Sequence, residues 1–203
     1  MLDMRHLVHA WDFTGGVKKI CGVQEAYMKR ALIIIDYQTD FVAGSLGFPA
    51  ARALEAPICS RIDAARRAGD DVIFTMDTHS EDYLQTREGR ALPIIHCIKG
   101  TPGWALFGRV AEKRTRKDTV IEKNAFGSLA FAKHLQHANY SSLTFCGVIT
   151  EICVLSAAVL ARAALPESEV IIDAACTAGP DPNAAVQALN GLEKLQMQIV
   201  NRW

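Results

Sequence analysis

Four strand-like segments of this chain end on side chains able to do chemistry. "ALIIID" (Ala31–Asp36) ends on Asp36, "DVIFTMD" (Asp71–Asp77) on Asp77 with His79 two residues on, and "DTVIEK" (Asp118–Lys123) on Lys123. The fourth, "FCGVITEICVLSAA" (Phe145–Ala158), runs from an apolar strand through Thr150 and Glu151 to Cys153 at the start of a helix. A helix N-terminus carries roughly half a positive charge and free N–H groups, so a thiol placed there has a lowered pKa and is partly thiolate near neutrality. A lone cysteine in such a place reads better as a small buried hydrophobe. A cation and a carboxylate beside it favour chemistry: a lysine holds a thiolate, and an aspartate takes the thiol proton and later returns it.

A second constellation lies in "DTHSEDYLQTREGRALPIIHC", which contains Asp77, His79, Glu88 and His96. Asp-x-His puts both side chains on one face of an extended segment. Two histidines with carboxylates suit Zn²⁺, Fe²⁺ or Mn²⁺, with waters completing the shell. The competing reading is a polar loop with two unrelated histidines.

The elements that must position these groups alternate from Lys29 onward. Apolar strands are expected at 31–36, 71–77, 118–123, 143–148, 169–174 and 197–200. Helices are expected at 50–69, stopped by Gly69, and at about 104–113, 128–138, 152–164 and 183–195. Strands apolar throughout, alternating with helices, mean a parallel sheet covered on both faces, and right-handed crossovers make it a doubly wound three-layer α/β domain. Ligands bind such sheets outside the carboxyl ends of the strands, where strand order reverses. Asp36, Asp77, Lys123 and Cys153 all belong to that edge. The stretch from Thr78 to Gly103 is the one long excursion, and loops of that length are usually functional or disordered.

Composition narrows the function classes. The chain has 203 residues, half of them hydrophobic, with 22 basic and 22 acidic side chains. Balanced charge supplies no field to draw it to nucleic acid or an anionic membrane, and no apolar run approaches the roughly 20 residues of a spanning helix. Six scattered cysteines, none in a C-x-x-C pair, fit free thiols in a reducing cytoplasm. Residues 1–28 show no period and are expected to be a tail, with residues 29–203 forming the domain. His134 and His137 are expected on an exposed helix face, Cys146 in the core, and the side chain of Cys97 pointing away from that of His96. "EKRTRKD" reads as a solvated helix end. No G-x-G-x-x-G, P-loop or G-x-S-x-G is present.

"IIIDYQTDF", "IEKNAFGS" and "GVITEICV" together resemble the three motifs of the nicotinamidase/isochorismatase-like cysteine hydrolases, in family order, over about residues 30–200. The resemblance implies a six-stranded parallel sheet ordered 3-2-1-4-5-6, placing strands one and four side by side. It implies Asp36 as general base, Cys153 as nucleophile, and Lys123 as the group that stabilises the thiolate and orients the aspartate. It also implies an oxyanion hole from the backbone N–H groups of Ile149 and Cys153, with a cis Val148–Ile149 bond. For the metal, usually zinc, it implies Asp77, His79 and His96, the last preceding a C-x-x-G-T match in "HCIKGTPGW". The variable ligand is read as Glu88, with Glu81 and Asp82 as alternatives, and the metal would take up a pyridine nitrogen. Where nicotinamidases carry a ring-stacking aromatic before the last histidine, this chain has Pro93; Phe41, Tyr83 and Trp104 are the expected pocket walls instead.

These readings converge on a cysteine amidohydrolase that cleaves a small carboxamide through a thioester, with nicotinamide the leading substrate. Family members are commonly homo-oligomers, and the same state is expected here. Cys153 argues against the vinyl-ether-cleaving isochorismatases, which often lack the cysteine. Three rivals remain open: a ureido or carbamoyl substrate on the same triad, a redox-active thiol protein resolving through Cys146 or Cys176, and a non-catalytic small-molecule-binding domain.

Overall fold

The computed structural model describes residues 29–202, so the tail expected at 1–28 lies outside the described residues. Six parallel strands form one sheet: β1 (Arg30–Ile35), β2 (Asp71–Asp77), β3 (Thr119–Lys123), β4 (Ser142–Val148), β5 (Glu169–Ala178) and β6 (Gln198–Val200), in the order β3-β2-β1-β4-β5-β6. The helices are α1 (Thr39–Val42), α2 (Pro49–Ala53), α3 (Glu55–Ala68), α4 (Arg87–Ala91), α5 (Gly108–Lys113), α6 (Leu129–Ala138), α7 (Leu155–Ala164) and α8 (Pro182–Lys194).

Successive side chains of a strand point to opposite faces, and in β1 both faces are buried. Ile33 and Ile35 pack with Phe131, Phe145, Val154 and Leu189, beneath α6, α7 and α8. Leu32 and Ile34 pack with Ile58, Ile62, Phe74 and Val110, beneath α3 and α5. That double burial is why the strands read as unbroken apolar runs rather than alternating ones.

Several boundaries differ from expectation, each for a local reason. The helix expected at 50–69 is two helices, α2 and α3, meeting at Leu54, whose side chain is buried. Its C-terminal stop holds: Gly69 takes a left-handed φ of 77° and its N–H bonds Ala65 and Arg66 carbonyls. The helix expected from Trp104 starts only at Gly108, because the backbone before it is already engaged: Leu106 bridges Gln38, and Phe107 N–H donates to the Tyr37 carbonyl at 3.0 Å. β5 continues to Ala178, and its pairing with β4 shifts between Phe145 and Gly147. The helix expected from Ile152 begins instead with a wide turn at Thr150–Val154, in which Val154 N–H reaches back to the Ile149 carbonyl at 3.1 Å. Such wide turns are frequent at functional sites. The long excursion carries a short 3₁₀ turn at Tyr83–Gln85 and α4.

The reversal of strand order sits between β1 and β4, where Ile35 lies opposite Gly147. Gly147 has φ 113°, and a β-carbon there would collide with the Ile35 backbone. Only glycine lets the two strands close up immediately before Asp36 and the cysteine turn. Gly147→Ala is therefore expected to lose about 3 kcal/mol of folding stability, read as a shifted midpoint in urea denaturation; an unchanged midpoint would show that the strands separate without cost.

Candidate active site

Sheet register delivers the reactive groups. Asp36 follows β1 directly, Lys123 ends β3 opposite Asp77 at the end of β2, and Cys153 lies in the turn after β4. Lys123 Nζ stands 2.7 Å from Asp36 Oδ2, 3.3 Å from Asp77 Oδ1 and 3.6 Å from Cys153 Sγ. The other Asp36 oxygen accepts from Thr75 Oγ1 at 2.7 Å, and Asp36 itself has a left-handed φ of 45°. Asp36, Lys123 and Cys153 are all buried.

Burial and charge set the protonation states. Burial pushes the Asp36 carboxyl above its ordinary range, against the pull of Lys123. Burial, reinforced by the Asp36 charge, also pushes the Cys153 thiol well up, with Lys123 opposing. The thiol expected to be lowered at a helix N-terminus is thus raised, because it is enclosed in a wide turn beside a carboxylate. Lys123 remains an ammonium: burial disfavours its charge, but Asp36, Cys153 and Asp77 more than restore it.

The second constellation also closes up. Asp77, His79, Glu88 and His96 each place one donor atom within 4.8 Å of the others. His79 Nε2 is 3.0 Å and His96 Nε2 3.5 Å from Asp77 Oδ2, and both nitrogens are 3.9 Å from Glu88 Oε1. His96 Nδ1–H donates to the Ile94 carbonyl at 2.7 Å, which turns its Nε2 toward the cluster. Burial raises Asp77, but the histidine hydrogen bonds and Lys123 prevail and hold its carboxyl below the ordinary range. Two imidazoles and two carboxylates converging this closely fit a borderline divalent cation. Glu88 is presented by α4, whose N-cap Thr86 accepts from Gly89 N–H at 2.9 Å. Glu81 and Asp82 are exposed and outside the cluster.

The three expected pocket walls differ in their surroundings. Tyr83 is fully buried, with its ring 4.7 Å from His79 and 4.9 Å from His96, and its hydroxyl donates to the Leu92 carbonyl. It backs the histidines. Phe41 packs edge-on against His96 at 5.5 Å, and Trp104 donates its indole N–H to Thr78 Oγ1 at 2.9 Å. The cavity of about 820 Å³ that opens beside His79 and Glu88 is lined by none of the three, and by none of Asp36, Lys123 and Cys153 either. Leu92, Phe126, Arg87, Lys99 and Asn124 line it instead. Sequence reasoning also passed over Gln38, whose amide accepts from Asp77 N–H at 2.7 Å and donates to the Asp77 and Trp104 carbonyls at 2.8 Å. Its signal was the two-residue spacing from Asp36 in "DYQTDF".

Remaining features sort simply. The Val148–Ile149 peptide is cis. His134 is half-buried against Tyr140 rather than on an open face, whereas His137 is exposed. Cys97 is buried in the core on the α3 side. Cys146 and Cys176 share that same side and hydrogen-bond each other, whereas Cys153 belongs to the opposite side. No helix among the described residues is long and apolar enough to cross a membrane.

A doubly wound α/β sheet with a buried Asp–Lys–Cys cluster at its switch point defines the class. A family model described as the isochorismatase domain matches residues 30–202, and the chain belongs to the isochorismatase family. It is 35% identical over 144 residues to an uncharacterized isochorismatase family protein, PncA, of Bacillus subtilis (strain 168), covering 65% of this chain and 78% of that one. Among solved structures it is similar to the nicotinamidase/pyrazinamidase PncA of Bacillus subtilis, at 31% identity and TM-score 0.77, covering 86% of this chain and all (100%) of that one. It is also similar to the pyrazinamidase of Pyrococcus horikoshii in complex with zinc, at 26% identity and TM-score 0.75, over 86% and 99% of the two chains.

The electrostatics yield a signed test. The Asp36 charge raises the Cys153 thiol, so Asp36→Asn removes that push and increases the thiolate fraction at a given pH. The thiolate ultraviolet absorbance assigned to Cys153 by difference from Cys153→Ser should therefore appear at lower pH in Asp36→Asn than in the parent protein; an unchanged or higher midpoint would contradict this charge balance.

Proposed function

We propose that this hydrolase cleaves the C–N bond of a small carboxamide through a Cys153 thioester, with nicotinamide, giving nicotinate and ammonia, as the leading substrate. The observation that carries the reading is Lys123 Nζ lying within 3.6 Å of both Asp36 Oδ2 and Cys153 Sγ. The similarity to nicotinamidase and pyrazinamidase structures supports the amide class.

Asp36 accepts the Cys153 proton, which its raised affinity for protons favours. Lys123 holds the thiolate as it attacks the carboxamide carbon. The backbone N–H groups of Ile149 and Cys153 receive the oxyanion, a contribution of about 2.7–4 kcal/mol per donor in comparable sites. Asp36 then protonates the departing ammonia and activates the water that releases the acid. Asp77, His79, Glu88 and His96 would hold a divalent cation, zinc first and iron or manganese as alternatives, which supplies an acceptor for a ring-nitrogen lone pair beside the nucleophile.

An amide panel assayed for ammonia, with and without chelator, tests the reading. Nicotinamide should be turned over and chelator should suppress it. Cys153→Ala should lose at least about 10³-fold in kcat/KM while keeping the parent melting curve. Turnover confined to carbamoyl or ureido compounds, insensitive to chelator, would favour the rival substrate class; ammonia release by Cys153→Ala at the parent rate would remove the nucleophile.

A further inference from the structure

Resting on the metal reading just given, we propose that Asp40 is a positioning residue of the cation site: its carboxylate sets His96 by holding the backbone of the next residue. Asp40 lies in α1, two residues past Gln38, and none of its atoms belongs to the metal cluster. Its Oδ2 accepts from Cys97 N–H at 2.8 Å, and its Oδ1 from Ser45 N–H at 3.4 Å. Its backbone is tied to the same loop, since Asp40 N–H donates to the Gly103 carbonyl at 2.9 Å.

The carboxylate is seated between two glycines. A β-carbon on Gly44 would collide with Oδ1, and one on Gly103 with Oδ2. The space that a side chain would fill at both positions is thus given to Asp40. On the other side of the bond, Cys97 holds φ 47°, a left-handed conformation that a non-glycine residue adopts only when its surroundings impose it. The Asp40–Cys97 hydrogen bond is one such restraint, and it lies one peptide from His96. The imidazole is then fixed at a second point by the Nδ1–Ile94 bond. Gln38 restrains Asp77 in the same manner, through its main-chain N–H and carbonyl. Two side chains spaced two apart on the β1 exit therefore hang a strand-end ligand and a distant loop ligand from one support.

Groups that orient ligands in this way typically cost 10–100-fold in metal affinity when removed. The test uses the full chain, stripped of metal and titrated with Zn²⁺ against a chromophoric chelator, and separately with Co²⁺, whose visible spectrum reports ligand geometry. Asp40→Ala should bind Zn²⁺ about 10–100-fold more weakly and shift the Co²⁺ bands. Asp40→Asn keeps an acceptor for Cys97 N–H and should stay near the parent affinity. Gly103→Ala, which displaces the carboxylate without removing it, should weaken binding as Asp40→Ala does. Ammonia release by Asp40→Ala should recover at saturating Zn²⁺. Parent affinity and spectrum in both Asp40→Ala and Gly103→Ala would overturn the positioning role alone. A parent protein that binds neither ion would overturn the metal reading, and this inference with it.

Discussion

The site depends on one buried ammonium. Lys123 is the cation shared by Asp36, Asp77 and Cys153, three groups that burial would otherwise drive to neutrality or apart. Removing one partner from a buried ion pair costs about 3–5 kcal/mol, because the other charge is left uncompensated. Lys123 therefore carries both the stability of the carboxyl edge and the charge balance around the Cys153 thiol. It also joins two chemistries. Through Asp36 it faces the thiol, and through Asp77 it faces the histidine cluster.

The sheet explains how such a junction arises from distant segments. β1 is flanked by β2 on one side and β4 on the other, so the first residue past its end looks onto both neighbours. Asp77 and Lys123 are register partners on adjacent strands, which fixes their side chains on one line. Gly147 lets β4 close against Ile35, bringing the cysteine turn alongside. The long excursion after β2 then returns at His79, where a bridge to Ile98 and the Cys97–Asp40 bond close it against the sheet. Loop residues are held as firmly as strand ends because buried hydrogen bonds, not apolar packing alone, fix their backbone.

Much of this was legible in the residues. Unbroken apolar runs announced a doubly covered parallel sheet, and four of its six strands led to the groups the structure places at the carboxyl edge. The segments that misled were those where tertiary contacts overrule local pattern. Trp104–Phe107 has helical neighbours but spends its backbone on Gln38 and Tyr37. Leu54 breaks a continuous helical pattern to bury its side chain. Tyr83, expected as a pocket wall in place of the missing aromatic at Pro93, spends its hydroxyl on the Leu92 carbonyl and sets its ring against two imidazoles. The thiol was misjudged for a related reason. A helix dipole can be read from sequence, whereas the depth of enclosure and the proximity of Asp36 cannot.

That raised thiol affinity is compatible with a nucleophile when the cluster is considered as a whole. With Asp36 and Asp77 ionised, Lys123 protonated and Cys153 neutral, the group carries one net negative charge. Losing the thiol proton to solvent would add a second negative charge in a buried space, which the low local dielectric penalises. Passing that proton to Asp36 leaves the total unchanged, with the negative charge moved from oxygen to sulfur beside the same ammonium. Burial thus suppresses a free thiolate while permitting an internal transfer, and both raised groups, Asp36 and Cys153, follow from that one enclosure.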